Sequence, residues 1–276
     1  MSSESAVSAH YTHGGLLEAI ESSLRRLGKL PENVTVEDLG PVDEFHIGGR
    51  GATQRLLQQL DFSKDDHILD VGCGLGGTTR FIADTIKSRA TGIDLTKEYV
   101  DVGNLLSSWV GLDGLVTLRR ASATSMPFDD AVFDGAVMLH VAMNIEDKAR
   151  LFEEVHRVLR PGGSFGIYDI MRIGIGALSY PVPWAADEGT SQLATPAAYS
   201  LGLQNAGFEI AHVEDRRQSA LEFFDKVRKT NEANGGPPIL SLHTLMQDAA
   251  PLRLGNMIDG ITAGAIAPCE IVAVKA

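Results

Sequence analysis

The sequence predicts an α/β protein whose parallel sheet is covered by helices on both faces. Short apolar runs alternate with helically periodic segments up to residue 171, as βα units require. The run His67 to Val71 opens into Gly72, Gly74, Gly76 and Gly77, a strand–turn–helix junction whose backbone N–H groups can approach a nucleotide-like ligand. Pro161-Gly162-Gly163 then separates a helical pattern from a further strand.

Residues 1–10 are small and polar and are expected to fray. Leu16, Leu17, Ile20, Leu24 and Leu27 fall at helical spacing, and that helix should stop near Gly28 and Pro31. A polar connector containing "VDEFHIGGRGAT" leads to a second helix at "TQRLLQQL". After the first strand, residues 75–87 read as helix, "RATGIDL" as a strand ending at Asp94, and 96–109 as helix. "LVTLRRAS" and "VFDGAVMLH" are the third and fourth strands. "EDKARLFEEVHRVLR" is an amphipathic helix halted at Pro161, and "SFGIYDI" is a fifth strand with Asp169 at its end. Residues 171–195 lack periodicity and carry prolines, as lids and insertions do. Helix and strand return in "PAAYSLGLQNAGFEIAHVEDR", helical material runs to residue 263, and "PCEIVAVKA" is the last strand. The expected organisation is an N-terminal helical cover over 1–60 and a ligand-binding domain over 61–276, with lid insertions at 171–195 and 217–263.

Hydrophobic residues make up 44% of the 276 and charged residues 22%, enough for a sizeable core. The net charge of −12 repels phosphate backbones, and basic pairs such as Arg25-Arg26 and Arg119-Arg120 are short, so nucleic acid is not an expected partner. Cys73 and Cys269 make neither a disulfide framework nor a metal-ligand cluster, and no metal is expected. No secretory signal is visible, and no apolar run approaches the ~18 residues of a membrane helix. A cytoplasmic, reduced protein with no membrane partner is the expectation.

Two ligands fit the glycine turn. Gly72, Gly74 and Gly77 satisfy G-x-G-x-x-G, and Asp94 lies about 20 residues on, as in a dinucleotide site. Read from Asp70 as D-x-G-x-G-x-G, the same residues suggest S-adenosylmethionine (SAM). Asp94 can accept from both ribose hydroxyls in either case. Asp70 favours SAM, because its charge would face an amino group or sulfonium but repel a pyrophosphate. The helix after the turn also begins without Arg or Lys for phosphates.

"ILDVGCGLGG", "GIDL", "SATSMPF" and "LRPGG", in this order across residues 60–170, resemble the motifs of the class I SAM-dependent methyltransferases. A looser likeness extends to residue 215. The chain is most similar in character to small-molecule enzymes such as the glycine/sarcosine N-methyltransferases and ubiquinone/menaquinone C-methyltransferases. The resemblance implies a Rossmann-like sheet of seven strands, mostly parallel with "CEIVAVKA" antiparallel, and helical cover segments around the site. It implies SAM as cofactor, held by Asp70, Gly72, Gly74, Gly76, Asp94, Leu95, Ser122, Ala123 and Leu139. Ser122 departs from the pattern, standing where the family commonly has an aspartate for the adenine amino group. The implied activity is methyl transfer to a small polar metabolite, nitrogen favoured, with oxygen, sulfur and carbon acceptors open. A nicotinamide oxidoreductase and a SAM-binding protein without catalysis are the alternatives. A homodimer is the default expectation for such enzymes.

His140, following the fourth strand, is the candidate base, since histidine takes a proton near neutral pH. Activity is therefore expected to rise through the range where histidine loses its proton. Asp169 is the second catalytic candidate, as base or as partner of a substrate ammonium. Each also has a plain structural reading, as a bonded core histidine and a lid-orienting carboxylate. Gly49, in the pair Gly48-Gly49, permits close approach to the methionine end of SAM. Tyr11, His13, Phe45, His46, Asn144, Trp184 and His243 are the candidates for meeting the acceptor, Trp184 through cation–π attraction to an amine.

Overall fold

The structure, a computed structural model, describes residues 3–12, 14–241 and 250–276. Its centre is a seven-stranded sheet in the order β3-β2-β1-β4-β5-β7-β6. Strands β1 (His67–Val71), β2 (Arg89–Asp94), β3 (Val116–Arg120), β4 (Phe133–Leu139) and β5 (Leu159–Arg172) pair in parallel. β7 (Ile266–Lys275) inserts antiparallel between β5 and β6 (Phe208–Asp215). The chain leaves β1 towards β2 on one side and returns to β4 on the other, so a crevice opens at the carboxyl ends of β1 and β4.

Side-chain alternation divides the core between the two faces of the sheet. Leu69, Val71, Met138 and Ile167 pack with Leu151 and Phe152 of α7 (Lys148–Val158) and Tyr199 and Leu203 of α8 (Pro196–Asn205). Their neighbours Ile68, Val137 and Tyr168 pack with Leu56 of α4 (Gly49–Leu57) and Ile82 of α5 (Gly77–Thr85). Helix α6 (Lys97–Trp109) lies beside β2 and β3 and meets α2 (Leu16–Arg26) through Leu106 and Leu24.

Several segments differ from expectation. The N-terminus is helical, α1 (Ser3–Tyr11), not frayed, and Tyr11 packs against Tyr99 of α6 with ring centroids 6.2 Å apart. The polar connector contains α3 (Val36–Asp43), started by a capping box in which the Thr35 side chain and Asp38 satisfy each other's backbone N–H groups. Pro161-Gly162-Gly163 does not separate helix from strand. α7 ends at Val158 and β5 begins at once, with the three residues looped out where the β4–β5 register jumps from Phe133–Leu159 to Gly135–Ser164. β5 also runs beyond Asp169 to Arg172, because β7 continues to pair with it as far as Ile266. Helices α9 (Arg217–Asn234) and α10 (Ala250–Thr262) fill the stretch before β7. Among the described residues no helix is long and apolar enough to cross a membrane.

Candidate active site

The glycine turn is anchored to the end of β2. Gly72 and Cys73 donate to Ile93 O at 2.8 and 2.9 Å, and Gly74 donates to Asp94 Oδ2 at 3.0 Å. Gly72 has φ 72°, and a Cβ there would fall 2.4 Å from Val141 Cγ2, so both backbone and space demand glycine. At Gly77 a Cβ would lie 2.3 Å from Asp43 O. That close approach lets α3 butt against α5, where Asp43 and Arg80 form a fully buried ion pair. Arg80 Nη1 further donates to Gly103 O at 3.0 Å and Ser107 Oγ at 3.2 Å. The arginine in the first turns of α5 is thus turned into the protein, away from any phosphate at the turn.

A cavity of about 930 Å³ opens over these strand ends. Asp70, Gly72, Gly74, Asp94, Leu95, Ala123 and Leu139 line it, as do Phe45, His46, His140, Asn144, Tyr11 and Trp184. Asp70 accepts from Thr79 Oγ1 at 2.6 Å, yet burial pushes its carboxyl up to about 7. Asp94 is likewise raised by burial, against the Gly74 and Thr96 N–H groups that favour its ionised form. Two carboxyls without an ion-pair partner among the described residues thus face the same end of the cavity.

His140 sits just past β4 with φ 56°, its N–H donated to Tyr168 O at 2.8 Å and its ring stacked on Tyr168. Its Nε2 is buried with no hydrogen-bond partner among the described residues. Burial and the nearby His46 hold its pKa well below the ordinary histidine value, so the ring is neutral with a free lone pair at physiological pH. His46 is neutral too, pushed down to about 4 by burial. It belongs to a network: its Nε2 lies 3.1 Å from Gly49 O and 3.0 Å from Thr53 Oγ1, beside Glu44. Arg50 balances Glu44 at 2.5 Å. Tyr11 donates to Asn144 Oδ1 at 3.3 Å, which ties α1 to the loop after His140.

Residues 69–167 match the model of a methyltransferase domain. These residues form a methyltransferase domain of the class I SAM-dependent kind. The chain is 27% identical to sterol 24-C-methyltransferase erg-4 of Neurospora crassa over 70% of this chain and 58% of that protein. To phosphoethanolamine N-methyltransferase 3 of Arabidopsis thaliana it is 30% identical over 67% of this chain and 38% of the relative. It therefore spans well under two thirds of both curated relatives. A solved geranyl diphosphate C-methyltransferase from Streptomyces coelicolor A3(2) superposes with TM-score 0.70 at 17% identity, covering 94% of this chain and 98% of the other, and so shares the fold.

The methyltransferase cavity fits SAM, the cofactor of the family. Asp94 keeps lone pairs free beside its two backbone donors for a diol. Asp70 has no cationic partner among the described residues and would gain one from an amino group or sulfonium. The only arginine or lysine among the described wall residues is Arg253, which lies outside the turn, and a dinucleotide's two phosphates have no such partner there.

Not every expected residue reaches this methyltransferase's cavity. Asp169 is fully buried within β5 and does not line it; its carboxyl accepts from Tyr199 OH at 2.8 Å and is pushed up to about 6 by burial. Alternation along the strand sends Tyr168 towards His140 and Asp169 to the opposite face. Gly76 is the N-cap of α5, and Gly49 opens α4; neither is on the wall. Ser122 is also off the wall, because its hydroxyl and that of Thr124 turn to Glu4 of α1. Asn144 does not cap α7; Asp147 does, accepting from Arg150 N at 2.9 Å. His13 and His243 lie outside the described residues. Sequence reasoning missed Glu4, His10, Tyr99 and Arg253, all on the wall. Tyr99 and Arg253 sit in helices whose pattern reads as packing, and Glu4 and His10 sit in a segment too short and polar to signal a helix.

Proposed function

We propose that this chain transfers a methyl group from SAM to a small polar metabolite, with nitrogen as acceptor atom and His140 as the group that receives its proton. The observation that carries the reading is the His140 Nε2, a buried ring nitrogen without a hydrogen-bond partner among the described residues, on the wall of a cavity whose other end suits the donor. Bound SAM supplies an electrophilic methyl, so the chain has to place an acceptor and relieve it of a proton. An amine N–H donating to His140 Nε2 has its lone pair held in one direction. As the nitrogen takes the methyl it becomes cationic; an imidazole held this far below its ordinary pKa receives the proton only in passing and gives it up to solvent as product leaves. Asn144 and Tyr11 offer a second polar contact beside His140, and Trp184 an aromatic wall. Closure by α1 and the apolar cover keeps water from competing as acceptor.

The relatives include a sterol C-methyltransferase and a phosphoethanolamine N-methyltransferase by name, so likeness alone does not select the atom. The test is the release of S-adenosylhomocysteine from SAM, followed by mass spectrometry, over matched panels of amines, phenols and thiols. Methylated product from amines, with little from the other two panels, is expected. Product from phenols or thiols alone would reassign the acceptor atom.

A further inference from the structure

One stretch of the cavity wall is apolar and carries a single full positive charge. Trp184, Phe223, Phe224 and Met257 line it and belong to one packed cluster. Arg253 of α10 stands among them, and it is the only arginine or lysine on the wall among the described residues. Its Nη1 lies 3.0 Å from His10 Nε2, and among the described residues its buried Nε has no hydrogen-bond partner. Among the described residues no acid on the wall pairs with Arg253; Glu4 meets Ser122 and Thr124, and Asp70 accepts from Thr79. Asp43 pairs with Arg80, Glu44 with Arg50, Asp94 holds the turn and Asp147 caps α7. A guanidinium with an unmet buried N–H in apolar surroundings is costly until an anion meets it.

We propose that the methyl acceptor carries one carboxylate, bound by Arg253, on an apolar body that packs against Trp184, Phe223 and Phe224. The guanidinium fork matches a carboxylate in two parallel hydrogen bonds. One cation balances one negative charge, whereas a phosphate dianion would bring a second with nothing to offset it. His10 Nε2 stands 3.0 Å from both Arg253 Nη1 and Pro183 O, so α1 adjoins the place where the carboxylate would bind. The inference rests on the reading of this cavity as a methyltransferase site.

Calorimetry on the full chain loaded with S-adenosylhomocysteine tests it. The probes are 3-phenylpropionate, indole-3-propionate and octanoate, each beside its primary amide, together with 2-phenylethyl phosphate. At least one acid should bind about tenfold or more tighter than its amide, as a charge-assisted hydrogen bond implies. Arg253→Gln should bring that ratio to about one, Arg253→Lys should keep part of it, and neither should change S-adenosylhomocysteine affinity more than about threefold, since Arg253 is not at the turn. Equal binding of acid and amide, no binding of any acid, a preference that survives Arg253→Gln, or tighter binding of the phosphate would each overturn the proposal. Absence of S-adenosylhomocysteine binding to the native chain would instead remove the donor reading, and this inference with it.

Discussion

The two ends of the cavity are built on different plans. The donor end comes from contiguous stretches at the carboxyl ends of β1 and β2, where glycines bring backbone N–H groups and carboxyls to one place. The acceptor end is assembled from α1, the turn before α4, the loop after β4, residues 183 and 184, α9 and α10. Its wall brings the neutral rings of His46 and His140 and the guanidinium of Arg253, beside carboxylates such as Glu44 and Asp147, where the donor end has the acids Asp70 and Asp94. A donor site made of backbone can serve many acceptors unchanged. The other end can be rebuilt by exchanging side chains on helices that the sheet does not constrain.

The sharpest break between the ends should come from His140. His140→Asn keeps a residue tolerant of the left-handed backbone at this position but withdraws the imidazole lone pair. The rate of methyl transfer at saturating donor should fall by about 10²–10⁴-fold, the usual worth of a proton-transferring group. S-adenosylhomocysteine affinity, read by calorimetry, should stay within about threefold, since distant sites are independent. Because burial holds His140 well below the ordinary histidine value, its loss of a proton is complete before neutrality. The native rate should therefore show no rise from His140 across the usual histidine range, in contrast to what an exposed histidine would give. An inflection at that ordinary value, abolished in His140→Asn, would place the ring in a wetter setting than the structure does.

Asp94→Ala should do the reverse. It removes the acceptor for the Gly74 and Thr96 N–H groups and the carboxylate facing the donor's diol. Two charge-assisted hydrogen bonds at about 1.5 kcal/mol each amount to roughly 100-fold in S-adenosylhomocysteine affinity. Acceptor KM at saturating donor should hardly move. A variant that weakened both ligands equally would show that the two ends are one coupled unit.

The same contrast explains what the sequence made legible. The alternation of strands and helices, the glycine turn and Asp94 at the end of β2 follow from local rules, and the seven-stranded order with β7 antiparallel agrees with the resemblance those motifs carried. Asp169 was misread because strand ends are set by the partner strand: β7 pairs beyond it, and period-two geometry then decides its face. Arg80 shows the same limit. The sequence reads the helix after the turn as beginning without an arginine, yet Arg80 stands in its first turn, and its partner Asp43 lies 37 residues earlier in a helix hidden in a polar connector. The Thr35–Asp38 capping box was a visible signal for that helix. Arg253 and His10 gave no comparable signal, since the contact between them joins residues 243 apart.

Asp70 offers a smaller and more diagnostic effect. Its carboxyl is pushed up from 3.8 to about 7 by burial, so the ligand-free fold holds a proton that the unfolded chain has lost. This group's contribution to stability therefore falls as pH rises from 3.8 to about 7 and is level above that. A ligand ammonium beside Asp70 favours the carboxylate, so S-adenosylhomocysteine, which keeps its amino group though not the sulfonium, should bind about tenfold tighter as pH rises from roughly 5.5 to 7 and then level off. Calorimetry in buffers of different ionisation enthalpy should show close to one proton released at the acid end. Asp70→Asn should flatten both curves. Were the slope to persist in that variant, another group at the donor end would be the one titrating.

Tyr11→Phe should give the smallest change, and it decides to which end α1 belongs. The hydroxyl donates to Asn144 Oδ1, on the loop that follows His140, and the ring packs on Tyr99 beside the donor end. Phenylalanine preserves the ring contact and deletes only the hydrogen bond, worth about 1 kcal/mol or some fivefold. If α1 acts on the acceptor, KM for the acceptor rises by about that factor while S-adenosylhomocysteine affinity is unchanged. If α1 acts as the lid of the donor, the loss appears in S-adenosylhomocysteine affinity and acceptor KM stays level. The first outcome is expected, because the partner that Tyr11 loses lies four residues after His140, on the loop that faces the acceptor.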